Sequence, residues 1–277
     1  MNTILVPVDF SEYSEYALEV AASIAKKQDA EIVVVHMMDL HDSFLTNDEK
    51  QEVFNAIQFM ELTKRRFEKF LDKEFLKDVE VLQAVRNYKV FKELNDVAKE
   101  YEADLIVMGS HGASGFKEIF VGSNTEKVVR TSETPVLVIK NRIPDFSIKK
   151  AVFVTDFDQN TTEAYLNARD LFKLFNVEPK LLFVNVPEKF ISTKEMEGLT
   201  NEFLKKANLD TPEFRKKIVY YDDYTLEKGI FNYCHSTRTD IIAIPTHGRK
   251  GIAHFFYGSV GEDVANHANI PVLTFKM

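Results

Sequence analysis

The chain of 277 residues writes one pattern twice, and this duplication limits its fold more than any other feature. Residues 109–140 read GSHGASGFKEIFVGSNTEKVVRTSETPVLVIK, and residues 245–276 read PTHGRKGIAHFFYGSVGEDVANHANIPVLTFK. The offset is a constant 136, without a gap over 32 positions, and 12 of the 32 are identical. Average residue usage would give about two by chance. The openings match at offset 147, with Ile4-Leu5-Val6-Pro7-Val8-Asp9-Phe10 over Ala151-Val152-Phe153-Val154-Thr155-Asp156-Phe157. The difference between the offsets makes repeat 2 shorter by 11 residues somewhere in its middle. Two domains are expected, 1–142 and 147–277, joined across the polar, Pro-containing run Asn141–Ser147. So short a joint predicts that the halves pack against each other.

Within each repeat, short apolar runs alternate with longer helical patterns. Runs at Thr3–Val8, Glu31–Met37, Val79–Val85, Asp104–Met108 and Val136–Lys140 are rich in Val and Ile, as strands buried on both faces must be. Glu12–Lys27, Asp48–Leu76, Lys89–Tyr101 and Asn124–Ser132 predict the intervening helices. Repeat 2 follows with strands near Lys150–Thr155, Lys180–Val186, Lys217–Tyr221, Asp240–Ile244 and Val272–Lys276. The alternation implies right-handed crossovers, so the expected fold class is α/β: two doubly wound domains, each a five-stranded parallel sheet with helices on both faces. Pro7 is awkward in a central strand and is expected where pairing stops.

Composition narrows the functions. At 45% hydrophobic and 28% charged residues, either half can build a core. A formal net charge of -8 argues against wide contact with a nucleic-acid backbone, though not against a local nucleotide pocket. The single Cys234 excludes an intramolecular disulfide and a multi-cysteine metal cage. The N-terminus lacks the basic and apolar regions of a signal peptide, and no apolar run approaches a membrane span. A cytoplasmic location without membrane contact is the expectation.

Open parallel sheets bind ligands beyond the carboxyl ends of their strands. Three features converge there in repeat 1: Asp9 after the first strand, Gly109–Gly115 after the fourth, and Gly122-Ser123-Asn124 opening the last helix. Glycine permits close backbone approach, and a helix N-terminus offers free N–H groups to an anion. The arrangement suits a phosphate held by main chain, with Asp9 near enough to accept hydrogen bonds from an amine or hydroxyl.

The spacing G-x2-G-x9-G-[S/T], met by Gly109, Gly112, Gly122 and Ser123, joins the opening ILVPVD and the ending PVLV. Together they resemble the universal stress protein family in tandem form, most strongly in the 109–140 and 245–276 blocks and weakly through 40–80 and 187–215. The resemblance implies ATP binding, with Mg²⁺ or Mn²⁺ bridging the phosphates. Carried over, Asp9 meets the adenosine end, the backbone around His36, Met37 and Met38 the adenine, and Gly109 the ribose. Gly112, Gly122, Ser123 and Asn124 fall at the phosphates, and His111 lies in the same loop. The resemblance also implies that last strands pair two domains across a pseudo-twofold, within one chain or in a homodimer. Repeat 2 departs from the pattern: Pro245 replaces the first glycine, while Asp156, Gly248, Gly258 and Ser259 survive. Proline removes an N–H donor, and losing one hydrogen bond to a charged ligand costs about 1.5–3 kcal/mol. The second site is therefore expected to be degenerate.

Simpler readings stand beside these. Ser123-x-x-Glu126 and Ser259-x-x-Glu262 match helix capping boxes, which can coexist with phosphate binding because a cap uses the hydroxyl. His111 and His247 read as loop-fixing side chains rather than general bases, and Cys234 as an inert core thiol. The Phe-rich stretch Val53–Phe75 reads as an ordinary core-facing helix stripe, with an apolar ligand as the lesser alternative. No P-loop, esterase elbow or zinc motif is present. No arginine finger or water-positioning carboxylate is visible, so turnover should be slow or absent and the chain is not expected to be an enzyme. Three functions follow: an ATP-binding regulator, an interaction module that binds an unknown protein partner, and, with least support, a nucleotidyl-handling enzyme.

Overall fold

The computed structural model describes residues 1–38, 49–87, 93–110, 123–246 and 270–277. Repeat 1 runs β1 (Thr3–Val8), α1 (Glu12–Gln28), β2 (Glu31–Met38), α2 (Glu49–Leu71), β3 (Val81–Asn87), α3 (Glu93–Glu100), β4 (Leu105–Gly109), α4 (Ser123–Thr131) and β5 (Val136–Ile139). Repeat 2 runs β6 (Ala151–Val154), α5 (Thr162–Lys173), β7 (Lys180–Asn185), α6 (Thr193–Lys206), α7 (Pro212–Arg215), β8 (Ile218–Asp222), α8 (Leu226–Thr237), β9 (Ile241–Thr246) and β10 (Val272–Lys276). All ten predicted strands are present. The 11-residue contraction falls largely between β7 and β8, where the 14-residue α6 stands in for the 23-residue α2. The predicted helix to Leu76 stops at Leu71, and a separate 3-10 turn, Glu74–Leu76, then buries Leu76.

The two five-stranded halves form one sheet, in the order β3-β2-β1-β4-β5-β10-β9-β6-β7-β8. Every pair is parallel except β5 with β10. That pair sets Leu137 opposite Leu273, with Val138 opposite Val272 and Val136 opposite Thr274. Leu137 and Leu273 are equivalent at offset 136, so the pseudo-twofold relating the repeats passes through this one pair.

Alternation along the strands feeds two faces. On one face, Ile4, Val6, Ile32 and Val34 of repeat 1 belong to the same buried cluster as Phe153, Tyr165, Phe172 and Phe203 of repeat 2. On the other, repeat 1 has its own core around Leu5, Val33, Val97 and Val129, and repeat 2 has another around Leu182, Ile230 and Ile242. The joint between repeats is docked, with Phe146 and Ile148 buried in the shared core. Arg142 makes a two-pronged pair with the carboxylate of Glu19 on α1, at 2.8 and 2.9 Å. Lys27 donates to the Phe146 carbonyl, and Gln28 donates to Leu174 of repeat 2.

Pro7 lies opposite Val35 in the β1–β2 ladder, but on its other side β1 pairs with β4 only through Ile4 and Leu5. Pairing has therefore ended on one side of the proline, as its missing N–H requires, and continues on the other.

Candidate functional site

The site grows from the way β1 ends. Asp9 accepts the Ser11 N–H on Oδ1 at 3.0 Å, an Asx-turn that delivers the chain into α1. Ser11 then caps the helix by accepting from Ser14 N–H at 3.3 Å, a contact of a kind worth about 1 kcal/mol. The tight turn puts Phe10 in the left-handed region at φ 64°, a conformation costly for a non-glycine residue. Packing offsets that cost: the Phe10 ring lies 4.6 Å from His36, 5.1 Å from Phe67 and 5.5 Å from Phe70, centroid to centroid. Repeat 2 builds the same corner, with Asp156 Oδ1 accepting Asp158 N–H at 3.0 Å and Phe157 at φ 58°. Asp9 and Asp156 thus each have a structural duty before any ligand is considered.

Parallel register gathers the predicted residues at one edge. Val8 of β1 is opposite His36 of β2, and β4, ending at Gly109, lies on the other flank of β1. Asp9, His36, Met37, Met38 and Gly109 therefore leave the sheet together at the carboxyl ends of its strands. α4 starts beside them at Ser123, with Asn124 exposed, and the Thr125 hydroxyl donates to the Gly109 carbonyl at 2.9 Å. His111, Gly112 and Gly122 lie outside the described residues, as do the Ser123 side chain and hence its capping box. In repeat 2, Asp156 stands after β6, while His247, Gly248, Gly258 and Ser259 lie outside the described residues.

His36 Nδ1 sits 2.7 Å from the Val8 carbonyl, so Nδ1 carries the proton and donates. Its pKa is held below the usual histidine value, chiefly by burial and further by the Arg66 charge, although the Val8 hydrogen bond pulls the other way. At neutral pH the ring is uncharged, with Nε2 an acceptor.

Gly109 has a steric reason that sequence reasoning missed. A Cβ there would lie 2.7 Å from the Tyr13 carbonyl oxygen of α1, closer than a side chain can stand. Ser110 N–H next to it is already engaged by the Ile139 carbonyl at 2.8 Å. In repeat 2 the matching stretch is a 3-10 turn, Gln159–Thr161, with α5 starting only at Thr162, and Pro245 is accommodated opposite Phe275. β6 pairs with β9 only as far as Ala243, so the proline's missing N–H falls beyond that ladder.

The aromatic packing behind Asp9 was also missed, though the repeated Phe10 and Phe157 at offset 147 signalled it. Among the described residues no group of three or more His, Cys, Asp or Glu side chains could hold a metal ion. Cys234 is fully buried, and burial pushes its thiol up to about 12. No described helix is long and apolar enough to cross a membrane. The edge offers Asp9 as acceptor, a neutral imidazole and the start of a nine-residue helix whose dipole favours an anion.

Comparison with known proteins agrees with this architecture. A universal stress protein of Methanocaldococcus jannaschii is 29% identical over 162 residues, covering 50% of this chain and 94% of its own. Universal stress protein YxiE of Bacillus subtilis is 29% identical over 153 residues, covering 50% of this chain and 99% of its own. The solved universal stress protein of Archaeoglobus fulgidus shares the fold along the whole molecule, with TM-score 0.60, 20% identity and coverage of 99% of this chain and 96% of that one. The universal stress protein family model matches residues 1–140 and again 147–276. Two doubly wound halves, each with this family's pattern, make the chain a tandem member of the universal stress protein family.

Proposed function

We propose that the chain is a nucleotide-binding regulatory protein of the stress response in the cytoplasm, holding one ATP in repeat 1 with little or no turnover. One observation carries the reading: the fold gathers Asp9, His36–Met38, Gly109 and the start of α4 at the carboxyl ends of β1, β2 and β4. Asp9 would take hydrogen bonds from the adenosine end, the ends of β2 would meet the base, and α4 would face the phosphates. His111, Gly112, Gly122 and Ser123 belong to the same proposed phosphate loop. ATP would bring Mg²⁺ or Mn²⁺ with it, since the metal bridges phosphate oxygens. Asp156, Gly248, Gly258 and Ser259 form the degenerate counterpart, weakened by Pro245.

Isothermal titration of nucleotide-stripped protein with ATP and Mg²⁺ tests this, with the Asp9→Ala, Gly122→Val double variant as control. One site per chain, lost in the control, is expected. Two sites would show that Pro245 is tolerated, and no binding would overturn the reading. An ATPase rate of about 1 s⁻¹ or more would make the chain an enzyme instead.

The second reading, a protein-interaction module, needs a surface other than β5 and β10, which pair with each other within the chain. The association edge that would build a homodimer is thereby used internally, and an unknown protein partner would have to dock elsewhere. Scrambling residues 109–122 would leave partner binding intact under this reading.

A further inference from the structure

An open cleft of about 970 Å³ lies in repeat 2, beyond the carboxyl ends of β7 and β8 and beside the first turns of α8. Its volume falls at the upper end of the range for small-molecule sites. Neither Asp156 nor Pro245 lines it, so it is displaced outward from the centre of the degenerate nucleotide site. It does reach Asn185, which corresponds to Met38 of repeat 1 at offset 147.

The lining sorts into groups the fold has used and groups it has left. Asn185 is buried and satisfied, exchanging hydrogen bonds with the backbone of Ile191. Asp223 is likewise committed, with Oδ1 on the Tyr224 N–H and Oδ2 on the Asn232 amide, tying the end of β8 to α8. The carboxylate of Asp222 has no hydrogen bond or ion pair among the described residues. The ammonium of Lys228, in the first turn of α8, has none either, and the two do not pair with each other although both line the cleft. Around them stand Phe190 and Tyr224, 70% and 81% exposed, large rings that the described chain leaves uncovered.

A carboxylate and an ammonium that are unpaired among the described residues, the latter beside a helix N-terminus, together with two exposed aromatic rings, complement one kind of molecule. We propose that this cleft is a binding site for a zwitterionic aromatic small molecule of the α-amino-acid class. Asp222 accepts from the ligand's ammonium. Lys228 and the free N–H groups at the start of α8 take its carboxylate. Phe190 and Tyr224 cover its ring, and face or edge contacts between rings favour an aromatic over an aliphatic side chain. A triphosphate is disfavoured, because it would meet Asp222 and Asp223 with Lys228 the one cation among the described lining residues. The site is independent of ATP binding in repeat 1.

The probe is L-phenylalanine, followed by saturation-transfer NMR and calorimetry on the full chain. Phenethylamine and 3-phenylpropionate, each lacking one of its charges, serve as matched controls. Saturable binding of L-phenylalanine is expected, at least tenfold weaker for either control. Asp222→Asn and Lys228→Gln should each weaken it at least tenfold while circular dichroism and ATP titration in repeat 1 stay unchanged. Four results overturn the proposal: no saturable binding up to about 10 mM, the weak end of specific recognition; equal binding of all three compounds; indifference to both variants; or displacement of L-phenylalanine by ATP. The last would make the cleft a second nucleotide site.

Discussion

His36 shows how a residue at the candidate site also sets a condition on stability. Its folded pKa lies below the unfolded value near 6.5, mainly through burial. As pH falls, the unfolded chain binds the proton first, so the contribution of neutral His36 is full above that value and is lost as pH drops through the folded one. Repeat 2 has Phe183 at the matching position, stacked 5.9 Å from Phe157, which shows that the corner accepts a phenyl ring. His36→Phe should therefore flatten the fall in Tm between about pH 7 and pH 5, measured by circular dichroism. An unchanged slope would locate the acid sensitivity elsewhere. The edge that the candidate site uses was legible at this scale because its markers are punctuation: an aspartate closing β1 and a glycine closing β4. The left-handed Phe10 was not, since it depends on packing against α2's aromatic rings, a long-range contact with no local signature, whereas the Asx-turn of Asp9 is a contact two residues along that an aspartate closing a strand can signal.

At the scale of the element, two glycines illustrate what alternation and periodicity leave unsaid. Gly109 ends β4 against the backbone of α1, and Gly229 sits in α8 where a Cβ would lie 2.4 Å from Val184 Cγ1 of β7. In both places a helix comes closer to the sheet than a side chain permits. Gly109→Ala meets rigid backbone, so we expect a loss of about 1–3 kcal/mol, the usual cost of overpacking. Gly229→Ala meets both methyls of Val184, a buried side chain stiff at χ1, and the Asp223 Cβ at 3.1 Å, so a loss of similar size is expected. Urea unfolding of both variants checks this, and a negligible loss in either would mean that its helix shifts away from the sheet at little cost. The ten strands were readable because buried parallel strands need continuous apolar runs, and the two crossover halves followed from their alternation with helices. The end of α2 at Leu71 was not, because Leu76, which continues the apolar pattern, is buried by a separate turn rather than by the helix.

For the whole molecule, the asymmetry of the two sheet faces decides how it unfolds. One face carries a core continuous across both repeats, reinforced by Phe146, Ile148 and the Arg142–Glu19 clamp. Removing one repeat would expose apolar surface belonging to the other, so thermal unfolding should be a single transition with equal calorimetric and van't Hoff enthalpies. Two separated transitions would show that the repeats are energetically autonomous. The duplication was plain in the sequence and the pairing of the last strands followed from the family resemblance, but the three-residue antiparallel register of that pair is one that no spacing reveals. That seam has a directional result. Because β5 and β10 run opposite ways, the strands of repeat 1 and those of repeat 2 finish on opposite rims of the sheet. The molecule is thus a bar whose two candidate edges face away from each other: a reader of one need not touch the other, and any conversation between them would travel along the β5–β10 seam and the core that both repeats share.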